Sequence, residues 1–134
     1  MSEFDALLGE WTVEASIAPG ATGRAVCERL EGNAFVVLRS YAPDPAPDSV
    51  WVMGGDDSSG ESTALYHDTR GVSRVYRTSL VDGVWRLWRD APGFAQRYTG
   101  TLGADGRTIR GAWELSRDNA TWQHDFDLTY TRTG

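Results

Sequence analysis

The chain has 134 residues, 40% of them hydrophobic and 24% charged, the size and balance of one globular domain. Its formal net charge of −6 argues against a nucleic-acid partner, which requires cationic surface to displace counterions from phosphate, and against docking on an anionic membrane. All 13 basic residues are arginine, which excludes a Schiff-base lysine, and the lone Cys27 excludes an internal disulfide and a thiolate cluster for zinc or iron–sulfur.

Residues 1–10 are acidic and lack a basic-then-apolar signal pattern, so a cytoplasmic location is expected. No apolar run approaches membrane-spanning length. Ser2 is placed to cap one helical turn over Glu3 to Leu8, with Gly9 ending it. Everything after that reads as strands. From Glu10 to Ala18, Trp11, Val13, Ala15 and Ile17 share one face and Glu10, Thr12, Glu14 and Ser16 the other. Turn signals then recur about every 8–12 residues: Pro19-Gly20, Glu31-Gly32-Asn33, Ala42 to Ser49, Gly54 to Gly60, Thr69-Arg70-Gly71, Asp82-Gly83, Pro92-Gly93, Asp105-Gly106 and Asp118-Asn119. These nine turns separate ten candidate strands. Asp82-Gly83 and Asp105-Gly106 are strong hairpin signals, because both residue types tolerate positive φ.

The strands do not all reveal their faces. Val72 to Leu80 carries arginine on each face, and Val84 to Trp88 carries tryptophan on each, so their inner sides stay open. Phe94, Gln96, Tyr98 and Leu102 oppose Ala95, Arg97, Thr99 and Thr101; Ile109, Gly111, Trp113 and Leu115 oppose Thr108, Arg110, Ala112 and Glu114. The last strand alternates most cleanly, placing Trp122, His124, Phe126, Leu128 and Tyr130 inward. Short connections favour antiparallel neighbours, and many strands with one apolar face avoid open edges by closing. The expected fold is all-β: one antiparallel up-and-down β-barrel of about ten strands over residues 1–134, with a short N-terminal helical turn.

Leu7-Leu8-Gly9-Glu10-Trp11 resembles the Gly-x-Trp signature that opens the calycins: lipocalins, fatty-acid-binding proteins and nitrobindin-like barrels. The resemblance implies barrel closure by Gly9, Trp11 and Arg132, with Trp11 plugging one end and Arg132, from Leu128-Thr129-Tyr130-Thr131-Arg132, packing over its ring. The chain is most similar to small bacterial lipocalin-like domains. It departs from fatty-acid-binding proteins: only Pro19 to Gly23 fills the place of their helical lid, and their Arg-x-Tyr clamp appears reversed, as Tyr130-Thr131-Arg132.

The inner faces mix bulky aromatics with polar groups and glycine, which suits a partly hollow interior. The expected function is non-catalytic binding of a small hydrophobic or amphipathic molecule, with His124, Tyr98, Trp113, Phe126, Tyr76, Arg74, Trp88 and Gln96 as ligand contacts. No cofactor is expected. Haem binding is a second reading: nitrobindin-like barrels bind haem through a histidine, and His124, with His67 as second candidate, would supply one here. A small barrel isomerase or cyclase, and a packed barrel without a ligand, would also suit an all-β chain of this kind. For His124 a satisfied core histidine outweighs the ligand reading. Arg70, Arg74, Arg77, Arg86, Arg89 and Arg97 cluster in the middle third; exterior ion pairs outweigh an inward clamp for a carboxylate or phosphate. Gly55 to Glu61 reads as a solvated hairpin loop rather than a calcium loop, because His67 stands where the twelfth-position glutamate belongs. Pro43-Asp44-Pro45-Ala46-Pro47 is a stiff, extended stretch, expected to be a plain connection rather than the rim of a cavity. Six tryptophans and five tyrosines leave room for an exterior aromatic patch and a homodimer.

Overall fold

The computed structural model describes residues 3–30, 32 and 34–133. The proposed cap Ser2, and Glu31 and Asn33 of the second turn, lie outside the described residues. Ten strands follow one another: β1 (Gly9–Ala15), β2 (Gly23–Leu30), β3 (Phe35–Tyr41), β4 (Ser49–Gly55), β5 (Ser62–Asp68), β6 (Ser73–Val81), β7 (Val84–Arg89), β8 (Ala95–Leu102), β9 (Thr108–Ser116) and β10 (Gln123–Arg132). Each pairs antiparallel with its chain neighbours, and β1 pairs with β10, so the sheet closes into an up-and-down barrel without a free edge. This fold is compatible with the calycins. Asp82 and Gly83 both take positive φ (54° and 75°), as a primed two-residue turn requires. At Asp105-Gly106 only the glycine does (71°), and the longer loop is closed by hydrogen bonds from Gly106 N to Gly103 O and from Gly103 N to Thr108 O.

The two ends of the barrel differ. At one end a 3-10 turn, Asp5–Leu7, lies across the opening and buries Phe4, Leu7 and Trp11 almost completely. Hydrogen bonds tie this turn down. Trp11 Nε1 donates to Leu7 O at 2.8 Å, Ser62 Oγ donates to the Glu3 carboxylate, and Arg29 pairs with Asp5 at 3.0 Å. The Arg132 guanidinium lies 4.1 Å from the Trp11 ring centroid and donates to the carbonyls of Leu8, Ala6 and Gly106. A Cβ on Gly9 would stand 2.6 Å from Arg132 Nη1, and Gly9 sits at φ +120°. Both the space and the backbone at that position therefore call for glycine.

Inside, Trp85 packs against Tyr98 (5.5 Å between centroids) and Tyr130 (5.9 Å), and Tyr130 meets Trp11 edge-on at 6.4 Å. Tyr98 lies over the neighbouring pair Gly100 and Gly111, and its hydroxyl donates to Leu128 O at 3.1 Å. A larger residue at either glycine would collide with the phenol. The closed half is thus filled by interlocking aromatics.

Two sequence expectations about faces are corrected. His124 does not point inward. The pairing of β10 with β9 shifts between His124 and Phe126, a bulge at Asp125. One extra residue inverts every side chain before it, so Phe126, Leu128 and Tyr130 face the interior while Trp122 and His124 stand outside. His124 is 57% exposed, with Nε2 2.8 Å from Asp127 Oδ1; Trp122 covers Arg97 at 4.0 Å. Trp88 is likewise exterior. Trp85 and Leu87 are the buried members of β7, so their neighbour Trp88 faces out, beneath Arg77 at 5.7 Å.

Candidate binding cavity

The half of the barrel away from the 3-10 turn is not filled. A cavity of about 590 Å³ runs inward from its mouth. Because the strands alternate in direction, this mouth is where β1, β3, β5, β7 and β9 end and the even-numbered strands begin. Loop residues 42–47 and the turn containing Ala18 and Ala21 form its rim. The proline-rich loop is therefore more than a connection: it lines the opening. Ile17 and Tyr41, two of the most exposed large hydrophobic residues, stand on the same rim.

The wall is aromatic. Trp51 and Trp113 are stacked at 6.2 Å, Trp51 meets Tyr66 at 4.8 Å and Tyr76 at 4.9 Å, and Tyr98 meets Trp113 at 5.4 Å. Phe126 and Leu128 complete the β10 side. Of the expected contacts, Tyr98, Trp113, Phe126, Tyr76, Arg74 and Gln96 all line the cavity, whereas His124 and Trp88 do not. Trp51 and Leu87 line it without having been singled out. In Val50-Trp51-Val52-Met53 both faces are apolar, so no sequence signal could phase that strand.

Polar groups collect near the mouth. Tyr76 Oη donates to Gln96 Oε1 at 2.6 Å. The Arg74 guanidinium also covers the Phe94 ring at 5.4 Å, and that of Arg89 covers the Tyr76 ring at 5.7 Å. Asp68, its side chain fully buried, accepts from Tyr66 Oη at 2.7 Å and from Arg70 Nη2 at 2.6 Å. The Arg70 bond holds the Asp68 carboxyl well below the usual carboxylate range. The remaining middle arginines face outward: Arg77 pairs with Glu61 at 2.9 Å, Arg97 pairs with Glu114 at 2.8 Å, and Arg86 is exposed. At the opposite end of the barrel, Asp56 Oδ1 accepts from Ser58 N and Ser59 N, an Asx turn that shapes the β4–β5 hairpin.

Burial raises the phenols of Tyr76, Tyr98 and Tyr130 above their ordinary range; burial, and then the bond to Asp68, pushes Tyr66 up to about 12. All four stay protonated at neutral pH. Cys27, in the closed half, is pushed up to about 12 by burial and stays a thiol. His67 and His124 both lie on the outer surface. The residues present therefore do not fit an imidazole-ligated haem in this cavity, and neither histidine is placed to ligate one there. No family model matches the chain, and the search of curated proteins found no match.

Proposed function

We propose that this chain is a calycin-type, lipocalin-like barrel that binds a small, mostly apolar molecule in its interior without converting it. The observation that carries this reading is the aromatic-lined cavity, open at one end of a closed barrel whose other end is plugged. Its volume lies within the ~300–1,000 Å³ of ordinary ligand pockets. The polar wall groups are spent on one another or held protonated, which supports orientation of a ligand rather than proton transfer at neutral pH.

The test is a titration with the neutral apolar probe N-phenyl-1-naphthylamine, followed by probe emission and by quenching of tryptophan. Saturable binding of one equivalent is expected. Ala15→Trp, which fills the lining on β1, should abolish it, and His124→Ala should leave it unchanged. Absence of saturable binding, or binding indifferent to Ala15→Trp, overturns the proposal.

A further inference from the structure

Within that cavity reading, on which this inference rests, we infer that the ligand carries an oxyanion headgroup at the mouth, received by Arg74 and Gln96, with its apolar part directed toward Trp51 and Trp113. Arg74 and Gln96 bring side-chain donors to this mouth. The Tyr76 proton goes to Gln96 Oε1. This bond engages the acceptor of the Gln96 side chain and leaves its amide N–H₂ as a donor on the cavity wall. The Asp68 carboxylate is consumed in the same way by Tyr66 and Arg70. What remains for a ligand at this ring is the donors of Arg74 and Gln96, with the Asp44 carboxylate on the loop rim.

Charge points in the same direction. Among the described residues, Arg24, Arg74 and Arg89 have no carboxylate within 4.0 Å; each guanidinium rests on an aromatic ring instead. Arg89 lies behind Tyr76, and its Nε is buried without a hydrogen-bond partner. Charged lining of the cavity consists of Arg24, Arg74 and Arg70, the last neutralised by Asp68, against Asp44. Two arginines without an ion pair among the described residues, Arg24 and Arg74, thus stand at this apolar opening of a protein whose net charge is −6. A half-buried guanidinium without a counter-ion is costly, and an oxyanion from the ligand relieves that cost by charge-assisted hydrogen bonds.

A carboxylate and a phosphate monoester share this chemistry. Calorimetric titrations with decanoate, decyl phosphate and decanol separate them from each other and from a neutral chain of equal length. Decanoate or decyl phosphate should bind roughly tenfold or more tighter than decanol, and the tighter of the two identifies the headgroup. Arg74→Gln should cost the anionic probes about tenfold and change decanol less than about twofold. Added salt should weaken the anions alone. If decanol binds as tightly as both anions, or if Arg74→Gln weakens all three alike, the headgroup inference fails while the cavity reading stands. If none of the three binds, the cavity reading fails with it. Circular dichroism of Arg74→Gln separates misfolding from loss of the headgroup site, and Arg74→Lys, which keeps the charge, should recover part of the anion affinity.

Discussion

Gly111→Ala tests how the floor of the cavity is built. An alanine Cβ there would stand 2.4 Å from the Tyr98 hydroxyl oxygen and 2.6 Å from the Thr99 carbonyl oxygen. The ring has nowhere to retreat. It is 1% exposed, wedged between Trp85 and Trp113, and anchored by its bond to Leu128 O. Overpacking of this kind costs about 1–3 kcal/mol, and loss of the Tyr98 hydrogen bond adds about 1 kcal/mol. Replacing a strand glycine returns roughly 0.5–1 kcal/mol through the unfolded chain. The net expectation is a destabilisation of about 1–3.5 kcal/mol. Urea unfolding followed by tryptophan emission reads it as a lower midpoint at unchanged slope. Gly55→Ala is the control, since its Cβ would meet nothing closer than Ser62 Oγ at 3.4 Å. If Gly111→Ala proves as stable as Gly55→Ala, the glycine notch does not position Tyr98, and the cavity floor is built in some different way.

Three further outcomes are expected. Arg132→Gln removes the cation–π contact with Trp11 and the charged hydrogen bonds to the carbonyls under the 3-10 turn; a loss of about 2–4 kcal/mol in urea, with altered Trp11 emission, is expected. The Asp68 carboxyl is depressed in the fold, chiefly by its bond to Arg70, so its contribution is complete above its ordinary value of 3.8 and disappears as pH falls toward the folded value. The urea midpoints of wild type and Asp68→Asn should accordingly differ at neutral pH and converge below about pH 4, and a gap independent of pH would contradict this. Cys27, buried and pushed up to about 12, should resist iodoacetamide at mildly alkaline pH in the native protein and react once denatured; rapid native labelling would show that the closed end opens.

Much of the architecture is local information. Turn chemistry recurring at short intervals, with period-two alternation between, is enough to specify ten strands and their sequential antiparallel pairing, because each hairpin is decided by a few adjacent residues. The same alternation places Gln96, Tyr98 and Trp113 on the inner wall. It misplaces His124 because a bulge at Asp125 breaks the period without leaving a mark in the residue pattern; Trp122 and His124 look as inward as Phe126. It cannot phase β4 or β7, where both faces carry residues suited to a core, or β6, where arginine stands on both faces.

Sequence by itself determined the fold class, the strand count and the chemical inventory: arginine without lysine, one cysteine, and aromatics on most strands. Tertiary structure decided which of those groups meet. Arg74 and Arg89 face the interior while Arg77 and Arg97 face solvent, although all four lie in one cluster of the chain. Whether the barrel is filled or hollow was decided there too. The glycine pair that admits Tyr98 is contributed by two strands, the N-terminal turn plugs only one end, and the volume left over depends on side chains from every part of the ring. A cavity is a property of contacts distant in sequence, and no local pattern encodes it.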